Sequence, residues 1–252
     1  MQKRVLGALF MREIQTRWGR RNLGFAWLFA EPLMFAFPVL VMWSFIRGPF
    51  EHNVRMIPFI WSGYMGILMF RHICGNAIYV VRNNGAMLYH QAITPLDIVL
   101  GLCGLQLIGT LGATAFSFFI LNFFGWVDWP VDASLFLVGN LYMAWWSFAV
   151  ALIIAGASER TDLIEHIWAP ISYLYLPASG FFYLAEWLPT PLRHLALTVM
   201  PSLHAYEMIR NGLFGNRIQF YYDMTYLTSV LAVLTLVGLW LVRSVREHLQ
   251  LE

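Results

Sequence analysis

Two basic residues stand side by side inside an otherwise apolar run, YMGILMFRHICGNAIYVV: Arg71 and His72. An arginine at mid-membrane costs about 2.5–3.5 kcal/mol on insertion scales and is normally turned toward protein or water. Two readings of this pair are open. One is a contact for an anionic substrate in a pathway. The other is a structural pairing, with an acidic group on another segment or with backbone carbonyls. Glu31 is one such acidic group, at a different depth. Aromatic rings accompany the pair: Phe70, Trp145 and Trp146 in mid-run, and Tyr173 and Tyr175 in a later run. A flat ring offers a sugar face apolar contact without a fixed hydrogen-bond partner. Packing is the competing role in mid-run, and an interfacial belt near the ends of a run. Arg71, His72 and these five rings form the candidate substrate pathway.

A second basic group lies near the start, in MREIQTRWGRRNLGFAWLFAEP: Arg12, Arg17, Arg20 and Arg21, directly before solid apolar sequence. Leu6, Phe10, Ile14 and Trp18 recur every fourth residue and form one slowly drifting stripe, as in a helix lying in the membrane interface. Arginines flanking that stripe reach lipid phosphates. A plain basic tail that only orients the chain is the alternative. Glu31 stands next to Pro32, where it could pair with Arg20 or Arg21 or reach back to the headgroups.

Other chemistries are poorly served. The seven histidines fit no HExxH spacing, and no GxSxG occurs. Fifteen of the sixteen basic residues are arginine, and Lys3 follows no glycine-rich turn, so the phosphate-binding GxxxxGK[ST] loop is missing. The two cysteines, Cys74 and Cys103, fall within apolar runs, which argues against a disulfide framework or zinc site. The first 24 residues are too charged for a cleavable signal peptide. Acidic residues gather between the apolar runs, so proton coupling through buried carboxylates has only Glu31 to use. A membrane-embedded glycan or lipid transferase, with His72 or His194 as base, would require buried polar clusters that the sequence does not display. A scaffold subunit would not need an intramembrane arginine. If this chain moves something uphill, a partner supplies the energy.

The elements that position these residues follow from composition. Of 252 residues, 59% are apolar and 12% charged, about half the charge of a soluble domain. Mean hydropathy is +0.61. The chain is an all-α integral membrane protein. About 20 apolar residues cross roughly 30 Å of hydrocarbon, and six runs qualify: 25–46, 57–81, 97–124, 135–157, 167–188 and 225–242. Arg71 lies eleven residues before Arg82, about 16 Å at 1.5 Å per residue, hence near mid-membrane. With both termini in the cytoplasm, ten basic residues fall inside and five outside, the bias expected of the positive-inside rule.

Two loops fall on the inner side. In 82–97, Asn83, Asn84 and Gly85 are turn residues and Pro95 opens the third span. Residues 86–92 can make two helical turns, which would expose Met87, Leu88 and Tyr89 to a partner's groove. The second loop, 158–166, is more acidic. Residues 167–224 carry Pro170, Pro177, Pro189, Pro191 and Pro201 and two apolar pieces. The second piece is too short and polar to span, so it reads as a helical pair dipping in from outside. Such backbone is tolerated at depth only where protein or water encloses it.

The string LFMREIQTRWGRRNLGFAWLFAEPL closely resembles the N-terminal signature of ABC-2 type export permeases of the polysaccharide branch, with Trp18 where tyrosine is frequent. NNGAMLYHQAITPLDIVL resembles that family's first cytoplasmic coupling segment, and the order of six spans with a proline-rich double dip before the last also matches. The nearest branch is that of KpsM-like capsular-polysaccharide permeases. The resemblance implies one ABC-2 transmembrane domain over 1–252: an interface helix 1–24, spans one to four in 25–157, a fifth span and re-entrant gate in 167–224, and a sixth span in 225–242. It implies a homodimer in the inner membrane with two separate ATPase subunits, exporting a lipid-linked acidic polysaccharide toward periplasmic and outer-membrane export proteins. O-antigen and teichoic-acid exporters share the fold and are the near alternatives. No cofactor is expected on this chain, ATP and magnesium being used by the partner ATPase, and neither a metal nor a nucleic-acid partner is expected. By the same resemblance Asn84, Met87, Leu88, Tyr89 and His90 would couple to the ATPase. Arg17, Arg20, Arg21 and Glu31 would guide the headgroup, and Phe181, Phe182, Tyr183 and Pro201 would gate the outer exit.

Overall fold

The computed structural model describes residues 37–43, 45–46, 48, 50–51, 54–85 and 93–249, with single positions at 7, 11 and 34. The interface helix expected over 1–24 and most of the first span lie outside the described residues. What is described is helical apart from a two-stranded antiparallel ribbon, β1 (Phe50–Glu51) and β2 (Val54–Arg55).

α1 (Met56–Ala77) starts directly after β2. It ends at Ile78, and Tyr79 follows with φ 61°, a left-handed backbone that costs a bulky residue about 1–3 kcal/mol. α2 (Pro95–Phe123) has a sharply defined start. The Thr94 hydroxyl accepts from the Asp97 N–H while the Asp97 carboxylate accepts from the Thr94 N–H, and Pro95 occupies the first turn, where no donor is needed. α3 (Ala133–Ser158) is capped by Asp132, whose carboxylate accepts from the Leu135 N–H at 3.0 Å and the Ser134 hydroxyl at 2.6 Å.

α4 (Leu163–Ala178) carries two internal prolines, Pro170 and Pro177. The apolar run predicts a span through residue 188, but the helix stops at Ala178. Gly180 follows with φ 94°, and the chain turns back to bury Phe181 and Leu184. Two short helices come next, α5 (Thr190–Val199) and α6 (Pro201–Phe214), then α7 (Met224–Leu249).

α3 is the hub, packed against α1, α6 and α7. Reciprocal glycines set two of those contacts. A Cβ on Gly139 would meet Ile209 N at 2.7 Å, and one on Gly212 would meet Phe136 N at 2.5 Å, so α3 and α6 touch backbone to backbone. Gly156 against Leu241 and Gly238 against Leu152 do the same for α3 and α7. α6 is thereby enclosed, and every residue in it except Asn211 is buried.

Three helices among the described residues are long and apolar enough to cross a membrane: Pro95–Phe123, Ala133–Ser158 and Met224–Val245. Their outer surfaces are apolar, with Ile108, Phe116, Phe119, Val233, Leu236 and Trp240 exposed, as suits a lipid surround. α1 has the length, at 22 residues. Arg71 and His72 lower its hydropathy, and it is not among the three.

Candidate functional site

The candidate pathway residues assemble on one side of the bundle, where α1, α3 and α4 meet. The Phe70 ring lies 4.3 Å from Tyr175, 6.2 Å from Trp146 and 6.0 Å from Trp168. The Trp146 indole N–H donates to the Tyr175 hydroxyl at 2.9 Å, which fixes both rings. One residue along α1, the Arg71 guanidinium stands 5.0 Å from the centroid of the exposed Tyr173 ring. Arg71 is half-buried, and among the described residues it makes no ion pair or hydrogen bond, so its donors remain available. His72 is half-buried beside it, and its carbonyl accepts from the Asn76 amide at 2.6 Å.

Trp145 does not join this group. Adjacent helical residues point about 100° apart, and Trp145 turns to α7, where its N–H donates to Thr235 at 3.0 Å and its ring stacks on Tyr142. Sequence position alone cannot separate it from Trp146.

The expected gate residues gather around the turn that follows α4. Phe181 and Pro201 are buried; Phe182 and Tyr183 are half-buried. Phe181 and Phe182 meet edge to face at 4.3 Å, and Phe182 lies 5.7 Å from Trp43. The organising residue here is one the sequence reading counted only as an external cation. Arg210 on α6 is fully buried and donates from Nη1 to the Gly180 and Tyr183 carbonyls, each at 2.7 Å, and from Nη2 to the Phe181 carbonyl at 2.6 Å. Its guanidinium carbon lies 3.9 Å from the centroid of the Phe59 ring. One turn earlier, Glu207 accepts from the Ala185 and Tyr221 N–H groups, both at 3.0 Å. Glu207 and Arg210 therefore act as a buried template for the loop that follows α4. The one hint in sequence is an i, i+3 Glu–Arg pair bracketed by apolar residues in LHAYEMIRNGLF.

At the opposite end of the bundle, Arg82 opens the α1–α2 loop and meets the α3–α4 loop. Its backbone N–H donates to Glu159 at 3.1 Å, and its guanidinium contacts Glu165 at 3.2 Å and Asp162 at 3.3 Å. Burial raises the Glu159 carboxyl above its ordinary range, while the Arg82 N–H and charge lower it. Asn84 ends the 3-10 turn Arg82–Asn84, its amide donating to the Val80 carbonyl. The other coupling candidates, Met87, Leu88, Tyr89 and His90, lie outside the described residues. So do Arg17, Arg20, Arg21 and Glu31.

No family model matches the chain. Full-length relatives exist among curated proteins. The capsule polysaccharide export inner-membrane protein BexB of Haemophilus influenzae is 35% identical over 250 residues, 99% of this chain and 94% of that protein. The capsule polysaccharide export inner-membrane protein CtrC of Neisseria meningitidis serogroup A is 36% identical over 242 residues, 95% of this chain and 90% of that one. The polysialic acid transport protein KpsM of Escherichia coli matches a shorter stretch, 25% identical over 100 residues, 40% of this chain.

Proposed function

Because this chain belongs to the family of capsule polysaccharide export inner-membrane proteins, we propose that it is the membrane subunit of an ATP-driven exporter moving lipid-linked capsular polysaccharide across the inner membrane. The observation that carries this reading is end-to-end similarity: 35% identity spread over 99% of the chain leaves no room for a different core. The geometry is compatible. Phe70, expected in the pathway, is instead a buried support for the ring cluster. The exposed Tyr173 ring beside Arg71 suits an acidic sugar polymer, the ring taking a sugar face and the guanidinium a carboxylate.

In this reading the chain works as a homodimer with two ATPase subunits, both termini lie in the cytoplasm, and six segments cross the membrane. The fifth crossing is composite. α4 has 16 residues and rises about 24 Å at 1.5 Å per residue, short of the hydrocarbon thickness. The loop from Ser179 to Leu184 completes it. Irregular backbone at that depth requires enclosing partners, and Arg210 supplies them for three carbonyls. α5 and α6 are the re-entrant pair, and Asn84, Met87, Leu88, Tyr89 and His90 of the loop after α1 receive the ATPase.

The test is genetic and chemical. A strain lacking this chain should hold lipid-linked polymer in the cytoplasm and lose surface capsule, with both defects reversed by complementation. Tagged protein from native membranes should carry a stoichiometric, active ATPase. Unchanged surface capsule in the deletion strain overturns the reading.

A further inference from the structure

We propose that Arg82 is a positioning residue that fastens the α1–α2 loop to the first turn of α4, so that displacement of this loop is carried along α4 to the aromatic wall. This inference rests on the exporter reading above.

Three observations carry it. First, Arg82 holds carboxylates spaced three residues apart on the α3–α4 connection: Glu159 through its backbone N–H, Asp162 and Glu165 through its guanidinium. The Glu165 side chain is only 13% exposed, and the Tyr79 hydroxyl lies against it. Tyr79 itself carries the left-handed φ of 61°. Strained backbone of that kind is kept where the surroundings demand one geometry, and here it sets the turn that delivers Arg82 to the carboxylates.

Second, α4 is fastened at both ends and lies mostly on the surface of the described bundle between them. Among its sixteen residues only Ser172 is buried, and Pro170 and Pro177 each remove a helix hydrogen bond. The far end is held by Ser202, whose hydroxyl donates to the Ser179 carbonyl, and by Arg210 on the next turn of chain. Third, the stretch between the ends carries Tyr173 and Tyr175, the rings that meet Arg71, Phe70 and Trp146. A rod anchored in this way moves its rings when its lower end moves. Exposed ion pairs add little stability, so the network is better suited to setting position than to holding the fold.

The experiment uses the full exporter in native membranes and as purified complex, comparing wild type, Arg82→Glu, and the charge swap Arg82→Glu with Glu165→Arg. Three quantities are read: polymer exported, ATP hydrolysed, and thermal stability of the complex. Arg82→Glu should keep ATPase association and melting temperature while export per ATP falls about tenfold, within the range of ordinary coupling factors. The charge swap should recover most of the loss. Normal export in Arg82→Glu overturns the proposal. So does a loss of assembly or melting temperature that accounts for the export defect, or a swap that recovers nothing. Absence of ATP-driven export in wild type overturns the exporter reading, and the relay with it; wild-type export with an unaffected Arg82→Glu overturns the relay alone.

Discussion

Arg71 and Arg210 are both arginines set among apolar helices, and their surroundings differ in every respect that matters. Arg210 is fully buried, gives its guanidinium to three backbone carbonyls and lies on the Phe59 ring. Arg71 is half-buried and touches one exposed ring. A buried guanidinium is costly unless most of its donors are used. Arg210 spends both terminal nitrogens on carbonyls and leaves Nε without a partner, so it is part of the framework. Arg71 makes no hydrogen bond or ion pair among the described residues, and it stands beside the exposed Tyr173 ring. The two residues separate an arginine committed to the framework from one that the proposed pathway would use.

The largest expected effect tests the framework side. Arg210→Ala strips the hydrogen bonds from the buried Gly180, Phe181 and Tyr183 carbonyls. Each buried acceptor left without its donor costs about 1–3 kcal/mol. The variant should be scarce in membranes and should melt far below wild type in detergent. Arg210→Lys keeps charge without the planar fork and should fall between. Wild-type melting in Arg210→Ala would erase the contrast.

Next comes the packing that encloses Arg210. Gly212→Ala places a methyl 2.5 Å from the Phe136 backbone nitrogen, which no side-chain rotation relieves. α3 and α6 must part, at about 1–3 kcal/mol. A lowered melting temperature checks this. On the other side, Arg71→Ala should leave stability within about 0.5 kcal/mol, as for surface changes away from structural features, while export falls severalfold. If Arg71→Ala melts as early as Arg210→Ala, both arginines are structural and the proposed pathway loses its anion contact.

How much of this was legible beforehand depends on whether a residue's role is local. The start of α2 was readable, because Thr94, Pro95 and Asp97 cap a helix through neighbours in sequence. Phe70 was legible as a mid-run ring beside Arg71, whereas the approach of Tyr173 and Tyr175 depends on how α4 packs on α1. The end of α4 was not. Hydropathy sees an unbroken apolar run through 188, but Phe181 and Leu184 are apolar because they pack inward after the turn at Gly180. Arg210 was illegible for a related reason: a cation's count says where a loop sits, whereas its partners are carbonyls some thirty residues away. The side of α3 that each tryptophan faces was equally hidden, because both lie at one depth.

That pair supplies the finest test. Trp145→Phe and Trp146→Phe each delete one indole N–H bonded to a hydroxyl, of Thr235 and Tyr175 respectively. Interhelical hydrogen bonds in membranes average about 0.6 kcal/mol, so both variants should lose a similar small amount of stability. Export should distinguish them. Trp146 holds the Tyr175 ring in the wall beside Phe70, whereas Trp145 joins α3 to α7 on a face that carries none of the other proposed pathway residues. Trp146→Phe should reduce export about twofold to fivefold, a loss comparable to one hydrogen bond of positioning, and Trp145→Phe should leave it unchanged. Equal export losses would mean that the wall acts only through the packing of α3, and that the open face beside Arg71 is not where the polymer runs.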